Sequence, residues 1–300
     1  MSNIRTIAGT MRPSFLVLPP VCVFAATAAA LWTSGAVNPV YVLLALVGGL
    51  SAHISVNMLN EYSDYRSGLD EHTQRTPFSG GSGTLPGNPE LVRWALVGGL
   101  ITLGITALIG IYFLTVWGLA LLPLGLLGLV LLFAYTPWIT RAPILTLVAP
   151  GLGFGTLMVM GTYFVLTGHY GWTAFFASLP PFFLVSDLLL LNQFPDVDAD
   201  RAIGRRSFPA LIGRQKSAII YVAFLVLNYV SIVVGVAVGA LPWPALLVLL
   251  SLFWAVPAAR GALRNYDDIP NLIPSMGQNV LVNIGTPALL GIGLLIGLLI

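Results

Sequence analysis

The chain has 300 residues, 57% hydrophobic and 8% charged, against roughly 25% charged in an ordinary soluble domain, which excludes a soluble globular fold. The 13 Lys and Arg against 11 Asp and Glu leave a formal net charge of +2, too little for a surface that tracks a nucleic-acid backbone, so no nucleic-acid partner is expected. Cys22 is the single cysteine and supports neither an intrachain disulfide nor a cysteine-based zinc cluster, so any metal must rest on oxygen ligands.

Helical spans of a ~30 Å hydrocarbon layer need about 20 apolar residues, and nine candidate stretches follow one another along the chain. The first, Phe15 to Trp32, is too long for a signal core and is read as a retained span. Then come Val40 to Leu59, Leu91 to Ile109, Val116 to Tyr135, Leu147 to Val165, Trp172 to Leu191, Ile219 to Val238, Leu246 to Val256 with its proline-rich flanks, and Leu281 to Ile300. The third and fourth run together with little to separate them. The expected architecture is all-α: a polytopic membrane protein whose nine helices form one bundle and one domain over residues 1–300.

Charge placement tests that count. With the N-terminus and the even-numbered connections on one side, that side receives Arg5, Arg12, Arg66, Arg75, Arg93, Arg141, Arg201, Arg205, Arg206, Arg214, Lys216, Arg260 and Arg264, every Lys and Arg in the chain. The odd-numbered connections near Ser34, Leu114, His169 and Gly239 carry none. The positive-inside rule therefore places the N-terminus and the charged loops in the cytoplasm. Ten of the eleven acids fall on that same side, although the rule does not govern carboxylates; only Asp187 lies within a span.

Two carboxylate clusters account for much of this bias. At the end of the second span, His53, Asn57, Asn60 and Asp64 are spaced i, i+4, i+7, i+11 and share one helical face, expected to point into the bundle because polar groups facing lipid are costly. Gly68 permits a turn bringing Asp70 back toward Asp64. At the end of the sixth span, Asn192, Asp196 and Asp200 share a face, Asp198 points away from it, and Pro195 is expected to kink the helix. The pairs Asn60/Asp64 and Asn192/Asp196 are offset by an identical 132 residues, a pattern that looks like an internal duplication. Such oxygen donors are either solvated acidic helix ends or ligands for Mg²⁺, which binds one or two carboxylates together with substrate phosphates. Two clusters on one membrane face can hold two Mg²⁺ and clamp a diphosphate.

At these residues the sequence resembles the UbiA superfamily of intramembrane prenyltransferases, with nine transmembrane helices and two Asp-rich motifs after the second and sixth. It is most similar to the 1,4-dihydroxy-2-naphthoate, menaquinone-type branch. Asn57, Asn60, Tyr62, Asp64, Gly68 and Asp70 match the first motif, with Glu61 at a variable acid. Asn192, Asp196, Asp200 and Gly204 match the second, with Pro195 in place of an Arg, Arg205 in place of a Lys, and Phe208 to Gly213 as its tail. Arg12-Pro13, Tyr135-Thr136, Phe154-Gly155, Gly161 to Phe164, Thr167-Gly168 and the Gly80–Gly83 loop add to the likeness.

The resemblance implies Mg²⁺-dependent transfer of a prenyl group from a prenyl diphosphate to an aromatic acceptor, 1,4-dihydroxy-2-naphthoate in menaquinone biosynthesis, in a cell membrane with the active site on the cytoplasmic face. Membrane lipid surrounds the isoprenoid tail. The expected metal set is Asn60, Asp64, Asp70, Asn192, Asp196 and Asp200, with Asp64 and Asp196 indispensable to catalysis. Arg75 and Arg205, then Arg12 and Arg141, are the diphosphate candidates, or else lipid-headgroup anchors. His53, Asn57, Tyr135 and Tyr163 are candidates for the acceptor pocket, the tyrosines by cation–π contact. Asp187 either takes a proton from the acceptor or is a protonated carboxyl satisfied by a neighbouring helix. The Gly80–Gly83 stretch lacks a P-loop lysine and is at most a lid. Competing acceptors are homogentisate, 4-hydroxybenzoate, chlorophyllide and a lipid ether. A different class, a transporter using Asp187, would place its binding groups near the midplane.

Overall fold

The computed structural model describes residues 6–69, 75–135, 138–202 and 204–300. All regular secondary structure among them is helical. Seven helices are long and apolar enough to cross a membrane, and an eighth is added if the pair Ala8–Phe15 and Leu18–Ser34, bent by 51°, is one span. The long helices are α1 (Leu18–Ser34), α2 (Pro39–Arg66), α3 (Val92–Trp117), α4 (Leu122–Ala134), α5 (Pro143–Thr167), α6 (Trp172–Asn192), α7 (Arg214–Ala237), α8 (Trp243–Arg264) and α9 (Ile269–Leu299).

The divide between α3 and α4 is a single residue's doing. The apolar run Pro89–Ala134 continues for 46 residues, yet Gly118 sits at φ 73, ψ −165, a conformation strained for any residue with a Cβ. Gly99 of α3 lies beside Leu59 at the end of α2, whereas Phe113 meets Tyr41 at its start, ring centroids 5.3 Å apart. α3 therefore runs antiparallel to α2. α4 returns, because Tyr135 at its end lines the same cavity as Asp64. The break falls at Gly118 rather than near Leu114.

Centre and periphery follow from side-chain size. α1 carries Ala25, Ala26, Ala28, Ala29 and Ala30, all fully buried, and such small side chains let helices approach closely in lipid; α9 packs along it. α6 is the most enclosed span, with 67% of its apolar window buried against 6% for the α3–α4 run. α5 is irregular: Pro150 removes a backbone donor, and Leu152–Val159 is wound as a π-helix, a feature common at functional sites. At the end opposite the acid clusters, glycine turns at Gly35, Gly118, Gly168 and Gly239 link the helices. Exposed Trp172 and Trp243 mark that end, and Trp94 and Trp138 the other, as interfacial anchors do.

Candidate active site

The first cluster is built as its spacing predicts. His53, Asn57, Asn60 and Asp64 of α2 line one cavity of about 170 Å³. The Asn57 amide donates to the Met11 carbonyl at 2.9 Å, tying the chain before α1 to α2. Asn60 Oδ1 accepts from Arg12 at 3.2 Å, and Asp64 Oδ1 accepts from Arg205 at 2.8 Å.

The second cluster reaches the same cavity by a different local route. Pro195 does not kink α6: the helix stops at Asn192, the chain turns, and a short helix, Val197–Ala202, begins anew. Proline supplies no donor and disfavours helical dihedrals at the preceding residue. The Phe194 carbonyl, left outside the helix, accepts from Arg214 Nε at 2.8 Å. Asn192, Asp196 and Asp200 all face the cavity, whereas Asp198 is exposed and 3.9 Å from Arg201. Arg205 bridges the two clusters, 2.8 Å from Asp64 and 3.9 Å from Asp200.

The cavity holds more negative charge than its cations neutralise. Burial, then the charge of Asp200, pushes the Asp196 carboxyl up to about 7, and burial also raises Asp200. Asn192 Oδ1 and Asp196 Oδ1 are buried with no hydrogen-bond partner. Oxygen acceptors that are buried, unpartnered and short of positive charge fit a divalent cation with hard-ligand preference. Among the described residues no three His, Cys, Asp or Glu side chains converge on one point. A cation here would thus complete its shell with Asn oxygens, water or the oxygens of a ligand.

A second, apolar cavity of about 520 Å³ continues from the first and shares Arg12, His53, Asn57, Asn60, Tyr135, Phe154 and Leu189 with it. It extends along α2 as far as Ala45, about 22 Å from Asn60 at 1.5 Å per residue. Its walls come chiefly from α2, α3, α4 and α5, whose π-helical part contributes Gly153, Phe154, Leu157 and Met158. Phe154 meets His53 edge to face, centroids 4.8 Å apart, at the junction.

Other expected site residues are placed elsewhere. Arg75 is exposed, its guanidinium lying against Gly83, outside the residues that line either cavity. Tyr163 lies at the far end of the bundle, bonded to Thr33 and near His169. It cannot belong to an acceptor pocket beside Asp64, because α5 has crossed the bundle by that point. Asp187 is fully buried, yet it lines neither cavity. Its neighbours Val185, Leu188 and Leu189 face the cavity, and Asp187 sits on another side of α6. Asp70 and the side chain of Arg141 lie outside the described residues. Sequence reading passes over Glu61 as a substitution, and over Ser79, which lines the cavity with Gly80 and Gly81; the glycine-rich stretch was the only available signal.

Comparison with known proteins gives the family and the fold. The model of the UbiA prenyltransferase family matches residues 20–272. A 1,4-dihydroxy-2-naphthoate octaprenyltransferase of Bacillus subtilis is 30% identical over 85% of this chain and 81% of its own. The protein of the same name from Haemophilus influenzae is 25% identical over 96% and 95%. Among solved structures, a UbiA homolog from Aeropyrum pernix superimposes with a TM-score of 0.64 at 18% identity, covering 97% of this chain and 98% of that one. A UbiA homolog from Archaeoglobus fulgidus bound to DMAPP and Mg²⁺ gives 0.58 at 12% identity, covering 97% and 99%.

Proposed function

The chain belongs to the UbiA prenyltransferase family, and from that premise we propose that it transfers a prenyl group from a prenyl diphosphate to 1,4-dihydroxy-2-naphthoate. The observation that carries this reading is the continuity of the two cavities: an acid- and arginine-lined chamber opens directly into an apolar one. A diphosphate with a hydrocarbon tail has that polarity profile. A transporter built on Asp187 finds no support in a carboxylate that lines neither cavity.

Arg12 and Arg205 bind the diphosphate, each already held at the chamber wall by a carboxylate. Mg²⁺, held by Asn60, Asp64, Asn192, Asp196 and Asp200, with Asp70 completing the set, would neutralise charge building on the departing diphosphate. As the allylic C–O bond breaks, the bonding pair leaves with the diphosphate. Tyr135, His53 and Phe154 line the junction of the cavities, where the allylic cation is left. The apolar walls beyond exclude water that would quench it. The electron-rich ring carbon that bears the acceptor's carboxylate attacks the cation, and that carboxylate then leaves as CO₂, its C–C bonding pair returning to the ring. With the broken α3–α4 run counted as two spans and the bent α1 pair as one, the one-sided distribution of Lys and Arg supports a cytoplasmic N-terminus and chamber, in what we read as a bacterial or archaeal cytoplasmic membrane.

Membranes containing the protein, incubated with prenyl diphosphates and a panel of aromatic acids, test the reading through the mass of the products. Prenylated naphthoate-derived product is expected. Turnover of homogentisate or 4-hydroxybenzoate without dihydroxynaphthoate would reassign the acceptor, and no prenyl transfer to any acceptor would end the proposal.

A further inference from the structure

Glu61 lies inside the first acidic motif, one residue after Asn60, and is 1% exposed. Its two carboxylate oxygens are already occupied by protein donors. Oε1 accepts from Arg12 Nε at 2.9 Å and from the Ser82 backbone N–H at 2.8 Å, and Oε2 accepts from the Ser82 hydroxyl at 2.8 Å. A second Arg12 nitrogen, Nη2, lies 2.8 Å from Oε1 and also donates to Asn60 Oδ1 at 3.2 Å. So engaged, Glu61 offers little to a metal despite its place in the motif.

Both groups that Glu61 holds are ones the backbone would not keep in place unaided. Arg12 is the single non-glycine at positive φ among the described residues, φ 52 and ψ 66, at the break between the turns Ala8–Met11 and Pro13–Phe15. Such a conformation is strained for a residue with a Cβ and persists only when surrounding contacts over-determine it. Ser82 belongs to a loop in which Gly80, Gly81 and Gly83 all have positive φ, and Gly80 and Gly81 line the polar chamber. One buried carboxylate thus ties a strained arginine and a glycine-rich loop to α2, at the wall where Arg12 and Asn60 meet.

We propose that Glu61 is a positioning residue that sets the diphosphate grip: it aims Arg12 into the chamber and seats the Gly80–Gly83 loop against it. The proposal rests on the prenyl diphosphate reading of the chamber. Glu61 touches no reacting atom; it acts through Arg12 and Ser82. Ser82 carries the loop half of this arrangement and Arg12 the charge half, so the two halves separate by mutation.

Glu61→Gln keeps the shape and removes the charge that holds Arg12. It is expected to raise the KM for prenyl diphosphate at least tenfold, while the KM for the aromatic acceptor and the half-saturating Mg²⁺ stay within about twofold. Glu61→Asp, which keeps the charge on a shorter arm, should restore part of that loss. Equal rises for donor and acceptor, or a tenfold change in half-saturating Mg²⁺ with donor KM unchanged, would overturn the proposal, the latter by making Glu61 a metal ligand. A readout independent of turnover is limited proteolysis of the loop with inorganic pyrophosphate and Mg²⁺. Pyrophosphate should protect the loop in the unmodified protein and not in Ser82→Ala or Glu61→Gln. Equal protection in all three sinks the role assigned to Glu61. Protection lost in the variants, beside an absence of prenyl transfer by the unmodified protein, would leave Glu61 as an anion-grip residue and refute only the prenyl donor.

Discussion

Three carboxylates, Asp64, Asp196 and Asp200, share one small chamber with two guanidinium groups, and their chemistry sets what single substitutions should do. Asp64 and Asp196 stand one on each motif, so Asp64→Ala or Asp196→Ala should each lower Mg²⁺-dependent diphosphate release by about a thousandfold, at the upper end of losses for a deleted transition-state contact; release near the unmodified rate from either would contradict a shared site. Asp196 also links metal to pH. With its carboxyl raised to about 7, it holds a proton below that pH, and a divalent cation must displace the proton to bind. The Mg²⁺ concentration that half-saturates a thermal shift of the substrate-free protein should therefore rise as pH falls through 7, by up to about tenfold per unit, and level off above 8. A requirement flat from pH 6 to 8 would show that metal binding displaces no proton from Asp196. Asp187 is the opposite case: buried and without a hydrogen-bond partner, but off the cavity walls. Asp187→Asn should leave prenyl transfer within about twofold of the unmodified rate in the membrane assay, and a loss of tenfold or more would return Asp187 to the chemistry.

Helix ends carry the site, and here sequence reading succeeds or fails for identifiable reasons. The i, i+4, i+7, i+11 spacing on α2 lies within one uninterrupted helix, so the polar face could be read directly from residue numbers. The second motif is interrupted at Pro195; its three residues still converge, because the turn at 193–196 returns the short helix Val197–Ala202 to the chamber. The α3–α4 divide reads near Leu114, four residues early, because no charged residue marks it and glycine is abundant along the chain, with 32 residues; backbone dihedral, not composition, singles out Gly118. That dependence predicts that Gly118→Val costs about 1–3 kcal/mol by forcing a branched side chain into a glycine-only region. Thermal unfolding in detergent should show a lowered Tm, with transfer activity per folded molecule kept at low temperature. An unchanged Tm would mean that another residue makes the turn.

At the scale of the bundle, one end holds the charge and the interior holds the apolar chamber, and only the first was visible in the sequence. Charged residues are rare enough that position alone reveals the charged end. The apolar chamber is instead lined by residues from four helices far apart in sequence, as apolar as those that face lipid, so nothing in their order separates wall from exterior. Small residues keep it open: Gly125 on α4 and Gly153 on α5 line the apolar cavity with no atom within 4 Å of where a Cβ would stand. α3 and α4, the least buried run, form the wall nearest lipid, where a long chain that has filled the chamber would leave. Gly125→Phe would place a ring in that space without touching the acid clusters, so a block should be felt by chain length rather than by chemistry. We expect kcat/KM for a long prenyl diphosphate to fall at least tenfold relative to that for a ten-carbon donor, with half-saturating Mg²⁺ unchanged. An equal loss for both donors would show that the ring disturbs the fold, and no loss for either would place the tail elsewhere than between α2, α4 and α5.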